Sequence, residues 1–172
     1  MSLDEYKIWG GHNWYSETAL PLRHELDKKE KAVRFLSNLI RKNTDLSPTR
    51  FSGSMIRGVP NINNVGYVVE WDDRYDSPLP KQVLGLKYSD KPSYSQKREL
   101  WQMGKRRALH KATTLRIRFY DSTSYFGLGS HKERERQMLI AVLKTLNKFG
   151  IRYKVNRGDI IYVLYSNLEK FL

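Results

Sequence analysis

Apolar and polar residues alternate most strictly over Thr113–Tyr120, where Leu115, Ile117 and Phe119 interleave with Arg116, Arg118 and Tyr120. A period of two is the mark of a half-buried strand. One face meets a core and the other carries two guanidinium groups and a phenol. Two helical stripes are equally plain. Ala32, Val33, Leu36, Leu39 and Ile40 recur at three- and four-residue spacing and predict a helix over Leu26–Asn43, with Lys28, Lys29, Lys31, Arg34, Arg41 and Lys42 mostly off the stripe. Met138, Leu139, Val142, Leu143, Leu146 and Phe149 predict a second over His131–Phe149, with Gly150 as its stop. A third helix is expected over Ser93–His110, with Ser93 as N-cap and Leu100, Trp101, Gly104 and Ala108 buried. Gly104 weakens that helix locally, by about 1 kcal/mol relative to alanine.

The shorter apolar runs predict further strands at Thr49–Ile56, Val65–Trp71, Gln82–Tyr88, Ile151–Val155 and Ile160–Ser166, and a closing helical turn at Asn167–Leu172. Residues 1–22 read as irregular, with Trp9, Trp14 and Tyr15 packing down. The segments 31–73 and 134–167 share the order helix, strand, Arg-Gly turn, strand, with Arg57-Gly58 and Arg157-Gly158 at the turns. That echo is compatible with an internal pseudo-repeat. The fold class is therefore α+β: a mostly antiparallel sheet with two or three helices on one face. The domain reading is an N-terminal arm over residues 1–25 packed on a single domain over 26–172.

Composition sharpens the picture. The chain has 172 residues and a formal net charge of +13. Residues 1–90 hold 13 basic and 12 acidic side chains, net +1, whereas residues 91–172 hold 18 and 6, net +12. An excess confined to one half of the chain points to a binding face for a polyanion, DNA or RNA above all. No cysteine is present, which excludes disulfides, thiolate zinc sites and a cysteine nucleophile. The first residues are polar and no apolar run reaches the length of a membrane span, so a cytoplasmic location without membrane contact is expected. Abundant lysine and tyrosine without cysteine suits a phage or mobile-element protein.

The expected nucleic-acid contacts follow from the elements. Arg98, Lys105, Arg106, Arg107 and Lys111 ride the third helix. Arg116, Arg118, Tyr120, Arg152 and Lys154 form an open sheet face, and Arg57 and Arg157 stand at its hairpin edges. Basic side chains with an aromatic among them suit phosphates and stacked bases.

The enzymatic alternative is a nuclease in which Glu70 and Asp72, on one strand face, hold Mg²⁺. An interaction protein docking on an acidic protein partner is the third reading. Outside the nuclease no cofactor is expected, and no metal site is assigned, since the spacing of His12 and His24 fits no common metal motif.

Tyr94-Ser95-Gln96-Lys97 resembles in form the Tyr-x-x-Lys motif of replication-initiator and relaxase nucleases. The upstream strand Tyr67–Asp72, however, lacks the paired histidines that chemistry requires. The acid-x-Lys of restriction endonucleases fails at Gly85, two residues before Lys87. The arginine, lysine and tyrosine set around Arg116, Arg118, Arg152, Tyr153 and Lys154 resembles metal-free ribonuclease toxins in chemistry alone. Asp121-Ser122-Thr123-Ser124 and Glu133-Arg134-Glu135 have ADP-ribosyltransferase residue types but stand too close together. The RNA-recognition-motif signature, the phosphate-binding glycine loop and the dinucleotide fingerprint are absent.

Overall fold

The computed structural model describes residues 3–48, 65–72, 74, 76–121 and 131–172. The chain divides into two compact units, residues 1–30 with 73–112 and residues 31–72 with 113–172. Residues 1–25, read from the sequence as an arm, belong to the first of these. Among the described residues no helix is long and apolar enough to cross a membrane.

The second unit holds the sheet and confirms the α+β class. Strands β1 (Val65–Trp71), β2 (Thr114–Asp121), β3 (Lys154–Val155) and β4 (Ile161–Leu164) pair antiparallel in the order β1-β2-β4-β3. β2 alternates between half-buried and buried along its whole length, as its sequence pattern demands. Helix α2 (Leu20–Asn43) contributes Ala32, Leu36 and Ile40 to the core of this unit, and helix α4 (His131–Lys148) contributes Met138, Leu139, Val142 and Leu146. These pack with Tyr67, Leu115, Ile117, Phe119, Ile161 and Val163 from the strands. Both helices thus cover one face of the sheet. Tyr67 is fully buried, and its hydroxyl donates to Ser37 O at 2.7 Å. Burial pushes that phenol above the ordinary tyrosine range.

Gly150 adopts φ 68° just past α4, and Ile151 N closes the end on Leu146 O at 2.9 Å. The turn at 156–159 is organised by Asn156, whose Oδ1 accepts from Gly158 N and Ile160 N at 3.0 Å each. The predicted strands on either side shrink to Lys154–Val155 and Ile161–Leu164. The first hairpin strand of the helix-hairpin echo, 49–56, lies outside the described residues.

The first unit is helical. Residues read as irregular from the sequence form α1 (Leu3–Trp9) and two short 3-10 turns. Helix α3 (Tyr94–Lys111) begins at Ser93, whose hydroxyl accepts from Gln96 N while the Gln96 side chain accepts from Ser93 N. This capping box satisfies two otherwise orphan donors. The core joins Trp9, Leu79, Val83, Leu100 and Met103.

Three expectations are corrected here. Gln82–Tyr88 is not a strand. Lys81–Leu84 is a 3-10 turn whose Val83 enters the core, and the Lys81 ammonium donates to the carbonyls of Tyr88 and Asp90, pinning the loop. On α3, Met103 takes the buried place expected of Trp101, which is half exposed. At the N-terminus Trp9 is buried and Trp14 half-buried, as expected, while Tyr15 projects into solvent.

Gly104 is explained by close approach. A Cβ there would lie 1.8 Å from Ser77 O, so the chain at Ser77 and Pro78 can rest against α3 only where no side chain intervenes. Lys29, expected off the helix stripe, is buried at 6% exposure. Its ammonium donates to Leu109 O at 2.9 Å, His110 O at 2.5 Å and Ala112 O at 2.8 Å, at the end of α3.

Lys29→Met should lower unfolding stability by about 2–3 kcal/mol, because buried carbonyls lose a charged donor. The urea midpoint should fall at unchanged slope. Gly104→Ala gains about 1 kcal/mol of helix propensity, yet the backbone clash should make it a net destabilisation of about 2 kcal/mol. A rise in midpoint for Gly104→Ala would show that the contact with Ser77 is not tight.

Candidate nucleic-acid interface

Two surfaces carry the basic residues singled out from the sequence, one in each unit. In the second unit the strand register lays Glu70, Arg116, Tyr162 and Lys154 in one row across all four strands, on the face opposite the helices. Arg118, opposite Val68, and Tyr120, opposite Gly66, extend it along β2. The open face expected from alternation is therefore present. Arg116, Arg118 and Tyr120 are half-buried, whereas Arg152, Lys154 and Arg157 are exposed.

Glu70 changes what this face can do. Its Oε1 accepts from Arg116 Nε at 2.8 Å and is also ion-paired with Arg118 Nε. One carboxylate thus offsets the charge of both β2 arginines. Arg118 in turn lies over the Tyr120 ring, 5.5 Å from its centroid. Burial raises the Tyr120 phenol above its ordinary range, opposed by the neighbouring Arg118 charge. The pairing also bears on the metal alternative. Glu70, one of the two carboxylates offered for Mg²⁺, is ion-paired with two guanidinium groups. Among the described residues no three His, Asp or Glu side chains gather into a set that could hold a metal ion.

In the first unit the geometry is more open. Tyr94, Arg98, Trp101, Gln102 and Lys105 follow one another at i, i+4, i+7, i+8 and i+11, which is one helical face. All five are exposed, on a stripe that flanks the buried side formed by Leu100, Met103, Gly104 and Ala108. Lys97 and Lys111 are also exposed, and Arg106 and Arg107 are half-buried. Arg57 lies outside the described residues.

Arg106 does a different job from its neighbours. Its guanidinium donates to Trp9 O at 3.1 Å and covers the Trp14 ring at 4.3 Å from the centroid. Burial lowers its pKa, with Tyr15 and Glu99 acting in the opposite sense. Arginine nevertheless stays charged throughout the physiological range. Arg106 thus ties the N-terminal aromatic segment to α3.

Two clefts flank it. One, of about 530 Å³, mixes Arg23, Lys105 and Arg106 with the acids Asp27 and Glu30, and suits an anion poorly. The other, of about 380 Å³, is lined by Trp14, Tyr15, Tyr94, Arg98, Glu99 and Arg106 among others. Trp14, Tyr15, Tyr94 and Trp101 had not been singled out from the sequence as contacts. The i, i+4, i+7 spacing of Tyr94, Arg98 and Trp101 was the signal available.

No protein-family model, curated protein or solved structure matches the chain.

The Glu70 cluster is testable directly. Glu70→Gln removes the carboxylate that Arg116 and Arg118 share. It should lower stability by about 1–3 kcal/mol, the cost of the charge-assisted hydrogen bond to Arg116 and the ion pair with Arg118 lost in a half-buried setting. Added salt should recover part of that loss by screening the two arginines. Thermal unfolding of both proteins across a salt series measures it, and an unaltered midpoint would mean that the arginines are held by other groups.

Proposed function

We propose that the protein is a nucleic-acid-binding protein that contacts phosphates chiefly through the outer face of α3. The observation that carries this is the exposed stripe of Arg98, Trp101, Gln102 and Lys105, headed by Tyr94, in the half of the chain that holds a net +12 charge. Cations held at helical spacing track a phosphate backbone, and releasing the condensed counterions supplies the affinity. The sheet face has a lesser part. Arg116 and Arg118 share Glu70, so the exposed Arg152, Lys154 and Arg157 are its better phosphate donors. A cytoplasmic setting belongs to the same proposal.

The test is a salt titration of binding, followed by fluorescence anisotropy of labelled DNA and RNA. With about six phosphates neutralised, log K should fall against log salt with a slope near −5 on duplex DNA. Arg98→Ser combined with Lys105→Ser should reduce the magnitude of that slope by about 2, since each phosphate contact removed lowers it by about 1. A salt-independent affinity, or no binding at low salt, would overturn the proposal and move the basic half of the chain toward an acidic protein partner.

A further inference from the structure

The α3 face holds more than cations. Tyr94, Arg98, Trp101 and Lys105 alternate ring and cation at steps of four, three and four residues. At a rise of about 1.5 Å per residue these steps are about 4.5–6 Å along the helix axis. Tyr94 is 82% exposed and Trp101 47%. Leaving large rings in water is unfavourable by about 25 cal/mol for each Å² of apolar surface that a partner could cover. Phosphate contact does not cover it, because a phosphate oxygen gives a ring face nothing to stack on.

The cleft beside this stripe repeats the theme. Tyr15, 81% exposed, and Tyr94 both line it, with Trp14 held under the Arg106 guanidinium. Arg106 is itself anchored on Trp9 O, so the Trp14 platform has a fixed support. Its volume of about 380 Å³ falls within the range of small-ligand sites. Glu99 decides which part of a nucleic acid fits here. A phosphate lying beside that carboxylate would be repelled, whereas amino and imino groups on a base edge donate to it. Arg98, on the cleft wall, remains for the adjoining phosphate.

Base faces are free to stack on protein rings only when the base is unpaired, since in a duplex each face is covered by its neighbours in the stack. We infer that the α3 face and this cleft bind single-stranded nucleic acid, with an unpaired base taken between Tyr15 and Tyr94 and its edge turned to Glu99. The inference rests on the nucleic-acid proposal above and names its substrate class. Duplex binding through the cations alone would satisfy that proposal and not this one.

The experiment compares a 12-nucleotide single strand with the duplex of the same sequence at one salt concentration, for the full chain and for Tyr15→Ser and Tyr94→Ser. Both side chains are exposed, so the variants should unfold at the parent temperature. The single strand should bind at least tenfold tighter than the duplex. Each substitution should weaken single-strand binding about tenfold, within the span found for losing one stacked base, and leave duplex binding unchanged. Tyr94→Phe should bind like the parent, since stacking needs the ring and not the hydroxyl. A strand carrying 2-aminopurine should lose fluorescence on binding the parent and keep it with Tyr15→Ser. Equal affinity for the two forms, with both tyrosine variants unaffected, would overturn the inference and leave the nucleic-acid proposal standing. Absence of binding to either form would overturn both.

Discussion

The first unit is organised around the end of α3, where the buried ammonium of Lys29 donates to the last carbonyls of the helix. The last carbonyls of a helix have no partner within the helix and carry the negative end of its dipole. Lys29 supplies one cation with three donors to Leu109, His110 and Ala112, and so answers both needs with one side chain. Burial lowers its pKa, while Glu25, four residues earlier on the same helix, pulls in the other direction. A buried charge is tolerated only when fully hydrogen-bonded. The C-terminal end of α3 is therefore held, on a helix whose exposed stripe presents Tyr94, Arg98, Trp101 and Lys105 to solvent.

The second unit solves the same problem of charge placement in the reverse direction. Here the cations Arg116 and Arg118 are neighbours on one strand face, and Glu70 is the anion between them. Two guanidinium groups this close repel, and in a half-buried setting screening by salt is incomplete. One carboxylate converts a repulsive pair into a network. The consequence for binding is that a count of basic residues overstates the charge available to a polyanion. The row Glu70, Arg116, Tyr162, Lys154 is close to balanced on its β1 and β2 side and basic toward β3.

Both features show what the sequence made legible and what it hid. Periodicity located β2, α4 and the body of α3 to within a residue or two, because each element has one buried side and alternation encodes it. Lys29 escaped, although Leu26, Lys29, Ala32, Leu36 and Ile40 follow the spacing of a single buried stripe. Hydrophobicity treats a lysine as an interruption of such a stripe, and only the position of the α3 carbonyls makes it a member. Gln82–Tyr88 misled for the opposite reason. Val83 and Leu84 look like part of a strand, but a 3-10 turn suffices to bury Val83, and the Lys81 ammonium holds the turn through carbonyls that no local pattern reveals. The open sheet face was legible from alternation. Its partial neutralisation was not, because it depends on the register that sets Glu70 opposite Arg116.

That register also separates the two basic surfaces expected from the sequence, the sheet face and the helix. On a strand, side chains on one face repeat every two residues, so Arg116 and Arg118 are close enough to share an acid. On α3 the exposed cations Arg98 and Lys105 are seven residues apart, about 10 Å along the axis, with Trp101 between them and Glu99 turned toward the cleft. The single acid of the helix lines the cleft, where the proposed single strand would turn a base edge toward it. A strand of nucleic acid offers a phosphate and a base in turn, and α3 offers a cation and a ring in turn. Charge excess alone would have been served as well by lysines at every exposed position. The rings between the cations are what a phosphate backbone leaves unexplained, and they are the reason the proposed ligand is an unpaired strand.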